Sequence, residues 1–230
     1  MRNKKWIAIL LFVAWAARGA VFSVLDFGAK ADGKTDDTAA FQKALDAAAA
    51  AKGGVVDAPR GNYFFAGHLS IPAAVTLKGI WESVPAHNGI RDAGLPKPTD
   101  DGTTFLVTEN AGKEDGEAFI TLNHNSTLKG VVIYYPNQNP AEEPQPYPYA
   151  IAMRGKNPAV LAVELLNPYN GIDASQNERH LIRDVQGKHA KDDGVRVLYG
   201  VSGTGTRLDA SPTESGENIG RLVIGLAEGA

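Results

Sequence analysis

The acidic pair Asp192-Asp193, with Lys188 and His189 just before it, is the densest group of chemically competent side chains in this 230-residue sequence. Two carboxyl groups can divide the acid and base roles in hydrolysis of a glycosidic bond. Alternatively, a base drawn from Arg183, Lys188, His189 or Lys191 could remove the proton next to a uronate carboxylate, with Ca2+ or another cation neutralising that carboxylate, and Lys188 and His189 could equally serve to bind the substrate. Both roles compete with a plainer one. Asp193-Gly194-Val195 lies 23 residues after Asn170-Gly171-Ile172, so Asp193 also fits a repeated turn. Adjacent strand residues point to opposite faces, so the two aspartates would share a site only at a bulge or turn. A second group lies between Pro136 and Pro148, where Glu143 and Tyr147 could contact a sugar through charge and ring face; a proline-stiffened loop without a ligand is the alternative. Cysteine is absent, which excludes disulfides, thiolate zinc sites and cysteine nucleophiles; no cofactor other than Ca2+ is expected, and EF-hand and zinc motifs are missing.

Something must hold these groups in place, and the composition points to a turn-rich globular chain: 43% hydrophobic, 21% charged, with 25 Gly and 13 Pro. Residues 1–19 are read separately as a signal peptide, a basic Met1-Arg2-Asn3-Lys4-Lys5 start followed by the apolar run from Trp6 to Ala17. Cleavage before Ala20 uses Ala17 and Gly19, with cleavage after Ala16 or an uncleaved anchor as alternatives. Loss of Arg2, Lys4, Lys5 and Arg18, with no acid, lowers the formal charge from −3 by four, to −7. An exported acidic chain is expected to bind no nucleic acid and, once the leader is removed, no membrane.

After a strand-like opening at Val21–Ala29, Thr35, Asp36 and Asp37 offer N-cap oxygens to a helix at about 36–52, with Phe41, Ala44, Leu45, Ala48 and Ala51 along one stripe and Gly53-Gly54 at its end. The narrow stripe suits a helix lying against a sheet edge. Two strands are expected around the Pro59-Arg60-Gly61-Asn62 turn. Then a repeat begins: Thr76-Leu77-Lys78-Gly79 recurs as Thr127-Leu128-Lys129-Gly130, 51 residues on, read as about two coils of a solenoid. Ile151, Ile172 and Val195 follow at 21 and 23 residues, and Val163 and Val185 at 22. Two short strands per coil is the signature of a parallel β-helix; a β-sandwich is the alternative.

The segments Phe22–Ala29, Asp32–Ala44 and Gly53–Tyr63 together resemble the opening of the pectate-lyase-like superfamily, including its rhamnogalacturonase-like, polygalacturonase-like and epimerase-like members. The resemblance implies an all-β fold, a right-handed parallel β-helix with an N-terminal α-helical cap. It extends through Asn167–Ile172 and His180–Val185 and fades beyond Lys188, so the β-helix domain is placed at 20–199 and residues 200–230 form a Gly-rich segment, an incomplete coil. The implied partner is an acidic polysaccharide such as pectin, cut by hydrolysis or β-elimination outside the cytoplasm. Full-length members are longer, so a truncated, inactive member is one expectation, and a non-catalytic polysaccharide-binding or tailspike-like module is the other. The Asn-X-Asp, Gly-His-Gly and Arg-X-Lys segments that accompany the paired Asp in polygalacturonase-like hydrolases are not found.

Overall fold

The computed structural model describes residues 19–85, 101–138, 142–188, 197–199 and 224–226. The expected signal peptide lies outside these apart from Gly19, as does most of the Gly-rich segment. No helix among the described residues is long and apolar enough to cross a membrane.

The chain winds through stacked coils of short strands, and every strand pairing is parallel. It starts with β1 (Val21–Ser23), a single 3-10 turn at Val24–Phe27 where the sequence reads as a strand, β2 (Asp32–Asp36) and α1 (Thr38–Ala50). Two full coils follow: β3 (Gly54–Asp57), β4 (Gly61–Phe65) and β5 (Leu69–Ile71), then β6 (Val75–Lys78), β7 (Thr103–Val107) and β8 (Ile120–Leu122). The third coil is β9 (Thr127–Lys129), β10 (Val132–Tyr134) and β11 (Tyr149–Lys156). Two sides then fuse, giving β12 (Ala159–Leu166) and β13 (Asn170–Glu178), then β14 (Leu181–Lys188) and β15 (Val197–Tyr199), with β16 (Ile224–Leu226) last.

Each coil thus has three sides. The first carries β1, β3, β6 and β9, and the second β2, β4, β7 and β10; they join in β12, whose start pairs with β9 and whose end pairs with β10. The third side carries β5, β8, β11, β13, β15 and β16. α1 precedes β5 where a coil would otherwise place a third-side strand, and it packs on β1, β3, β5 and β6.

In-register stacking turns the inward positions into columns. Val56, Leu77, Leu128, Val160 and Ile182 form one, and Leu69, Ile120, Ile151 and Ile172 another; all are buried. Each such side chain contributes about 1.5–3 kcal/mol by leaving water. Between the columns, Phe41 of α1 meets Tyr63, Phe65 and Phe105 edge to face, at centroid distances of 4.9, 5.0 and 5.4 Å. These rings tie the helix to the second side.

The Thr-Leu-Lys repeat is a direct stack: Thr76, Leu77 and Lys78 face Thr127, Leu128 and Lys129. Its 51 residues are therefore one coil lengthened by loops, where two short coils were expected. Ile151 and Ile172 pair as predicted, and so do Val163 and Val185. Ile172 pairs next with Val197, two residues later than the expected Val195.

Candidate functional site

Coils turn where a residue takes a left-handed backbone conformation, and at the end of the third side Asn125, Asn157 and Arg179 do so in successive coils, with φ of 50°, 55° and 53°. Asparagine tolerates this region because its short amide can bond locally. Here Asn157 Nδ2 donates to Asn125 Oδ1 at 2.9 Å, so the two corners are stitched together. Corner backbones are stitched too: Asn125 N–H donates to the Lys156 carbonyl, and Asn157 N–H to that of Glu178.

The residues just before these corners line an open cleft of about 290 Å³: His124 from one coil, Gly155 and Lys156 from the next, and Ser175, Gln176, Asn177 and Glu178 from the third. Gly155 makes the cleft possible. Its φ is +73°, and a Cβ there would lie 2.5 Å from His124 Nδ1, so only glycine lets the imidazole fold over this strand. His124 Nδ1 accepts the Lys156 backbone N–H at 2.8 Å, which leaves Nε2 as the protonated donor of the neutral ring. Lys156 Nζ sits 3.2 Å from Glu178 Oε2, both about half exposed.

A buried polar network underlies the cleft. One extra residue in β13, where Ala152 faces Asp173 but Arg154 faces Gln176, brings the Arg154 guanidinium beside Asp173. Arg154 donates to Asp173 Oδ2 at 2.7 Å, while the Ser175 N–H and hydroxyl donate to Oδ1 at 2.9 and 2.5 Å. Burial alone would push the Asp173 carboxyl up; the Ser175 and Arg154 hydrogen bonds outweigh it and hold the group below its ordinary 3.8. Asp173 is therefore a fixed anion that orients Arg154 and the Ser175 turn, which makes it unsuited to donate a proton. Next to it, Asn177 Oδ1 lies 2.6 Å from Nδ1 of the buried His180, and burial pushes that imidazole below 6.5.

None of the described residues singled out in the sequence lines this cleft. Asp192, Asp193 and His189 lie outside the described residues. Lys188 ends β14, in register with Leu166 on the second side. Glu143 is exposed on the loop between β10 and β11. Tyr147 is fully buried, its ring 4.9 Å from that of Tyr135, which corrects the expected role as a sugar-stacking face. The loop closes instead through the buried Gln138, whose amide donates to the Gln145 carbonyl at 2.8 Å and accepts its N–H at 3.0 Å, and this closure turns the nearby Tyr147 inward. Sequence reading missed the cleft because its side chains share no residue type. The one available signal was the recurrence of a polar pair, His124-Asn125, Lys156-Asn157 and Glu178-Arg179, two residues ahead of β9, β12 and β14. Among the described residues no three His, Asp or Glu side chains are grouped to hold a metal ion.

Residues 21–200 match the family model described as rhamnogalacturonase A/epimerase, pectate lyase-like. The mannuronan C5-epimerase AlgE2 of Azotobacter vinelandii is 38% identical over 108 residues, 45% of this chain and 11% of its own. Alginate lyase 7 of the same organism is 59% identical over 46 residues, 20% of this chain and 5% of its own. The chain thus spans about a tenth or less of the length of these curated relatives. Among solved structures, a protein assigned as a glycosyl hydrolase from Parabacteroides merdae superposes with a TM-score of 0.52 at 19% identity, over 78% of this chain and 86% of its own. An iota-carrageenase complexed to iota-carrageenan fragments does so with a TM-score of 0.51 at 15% identity, over 86% and 45%. At these identities the two structures speak for the fold alone.

Proposed function

We propose that this chain, which belongs to the rhamnogalacturonase A/epimerase, pectate lyase-like family, is exported and acts on an acidic polysaccharide, pectin- or alginate-like, that it holds in the His124–Glu178 cleft. The observation that carries this reading is the cleft itself. Donors from three successive coils, the His124 imidazole, the Lys156 ammonium and the exposed Gln176 amide, line one outer face. Coils repeat about every 4.8 Å, so a linear chain laid along the stack meets a new set of donors at each step. The coil is taken as right-handed, with α1 as its cap.

The chemistry favoured is abstraction of the proton next to a uronate carboxylate, followed by β-elimination. Lys156 supplies the positive charge that offsets the uronate, and the Nε2–H of His124 supplies a hydrogen bond to it. The relatives named as an epimerase and an alginate lyase are in keeping with a uronate substrate. Asp192 and Asp193 stand as catalytic candidates, and Lys188 and His189 as candidates to bind the substrate. Hydrolysis calls for two carboxyl groups about the scissile bond, whereas the buried Asp173 is engaged by Arg154 and Ser175. Lys156→Ala and His124→Ala should each weaken uronate oligosaccharide binding by about tenfold while leaving the fold intact, as titration calorimetry would show; unchanged binding would remove the cleft from the proposal.

A further inference from the structure

The repeated Thr-Leu-Lys segments do more than stack a hydrophobic leucine. Their in-register pairing puts the Lys78 and Lys129 ammonium groups on the outer face of the first side, one coil apart. Two like charges at that spacing repel each other, and they call for an anion between them. Glu82 provides it, with Oε1 2.8 Å from Lys78 Nζ and Oε2 2.5 Å from Lys129 Nζ, so each carboxylate oxygen has its own lysine. The short turn after β6 delivers this carboxylate: Ile80 N–H donates to Thr103 Oγ1 at 3.1 Å, and Trp81 N–H to the Gly130 carbonyl at 3.2 Å. Glu82 lies just past these anchors and is 65% exposed, against 35% and 28% for the lysines. It is the outermost and most easily displaced of the three. Lys129 shares its register position with Leu161, and Leu161 with Arg183, so cationic residues recur along this face in the direction of the coil stack.

We propose that Lys78 and Lys129 form a second carboxylate-binding site, away from the cleft, which Glu82 fills in the free protein and the uronate group of an acidic polysaccharide takes over. The site rests on the acidic-polysaccharide reading for its ligand class but shares no residue with the cleft. The two lysines already hold a carboxylate, one on each oxygen of Glu82, and Lys129 and then Lys78 draw that carboxyl down to about 2. A polymer engaged at both places would be gripped on two sides of the stack, and each contact would raise the local concentration for the other.

The test is titration of the 230-residue protein with oligogalacturonate and with alginate oligosaccharides at low salt. Glu82→Gln should tighten binding by about three- to fivefold, the effect of freeing one exposed ion pair. Adding Lys78→Ala and Lys129→Ala to Glu82→Gln should cancel the gain, and salt should weaken it. Glu82 is exposed and the two lysines are about one-third exposed, and unchanged melting curves would show that the variants remain folded. Binding that Lys156→Ala abolishes, but that the Glu82 and lysine variants leave unchanged, would overturn this site and keep the cleft. Tightening by Glu82→Gln that survives Lys156→Ala would support this site by itself. No binding by either the native protein or Glu82→Gln would overturn both, and an equal gain for a neutral dextran would overturn the carboxylate specificity.

Discussion

Asp173 and Gly155 show how single residues shape the cleft. Replacing Asp173 with Asn keeps the shape but removes the anion facing Arg154 and weakens both Ser175 bonds, so stability should drop by about 2 kcal/mol in urea unfolding. Gly155→Ala meets both a positive φ and the His124 ring, and it should cost about 1–3 kcal/mol and blunt uronate binding together. The pH dependence follows from the signs. His180 titrates lower when folded, so the unfolded chain takes up its proton first and stability falls as pH drops below 6.5. Asp173 also titrates lower when folded; its contribution is present above 3.8 and lost as pH falls below that value. Asp37 works in the opposite sense, since burial outweighs the Lys30 and Ala31 N–H bonds and raises its carboxyl, and it moderates the acid step. Urea midpoints measured from pH 7 downward should fall first in the histidine range, and His180→Gln should remove that first fall.

At the scale of elements, one side chain of α1 bonds to the edge of a sheet. β5 is the outermost strand of the third side, and Gln42 accepts the Ser70 N–H at 3.0 Å and donates to the Ser70 carbonyl at 3.2 Å, standing in for a missing strand. Gln42→Ala should cost about 1 kcal/mol and increase aggregation on partial unfolding, measured by melting and light scattering. The corner between the first and second sides is set by Gly130, Ala162 and Asp184, with φ of 70°, 52° and 53°. Alanine pays a steric penalty there that glycine avoids, so Ala162→Gly should stabilise by about 1 kcal/mol, which would be unusual for a buried strand position.

These elements also show what was legible in advance. The Thr-Leu-Lys repeat and the spacing of Ile151, Ile172, Val163 and Val185 predicted true register partners, because identical inward positions must stack. Coil length was not legible. The residues between β6 and β7 and between β7 and β8 carry no coil pattern of their own, so they inflate one coil to the length of two. The cleft stayed hidden for a related reason: its parts sit beside left-handed corners, where backbone geometry rather than residue identity repeats. Glu143 and Tyr147 lie close in one loop, yet the Gln138–Gln145 closure leaves one in water and turns the other into the core.

For the whole molecule, stacked parallel coils explain how a cysteine-free chain rich in Gly and Pro builds a continuous core, and they provide the long outer faces that polysaccharide recognition needs. The proposed action on a uronate polymer rests on family membership and the cleft together. The most direct measurement is incubation of the purified protein with polygalacturonate and with alginate, following ultraviolet absorbance of unsaturated ends alongside reducing ends. Absorbance and reducing ends rising together on one of these substrates, and slowed at least tenfold by Lys156→Ala, is the predicted result. Reducing ends without absorbance would replace elimination with hydrolysis, and no product with no binding to either polymer would contradict the account.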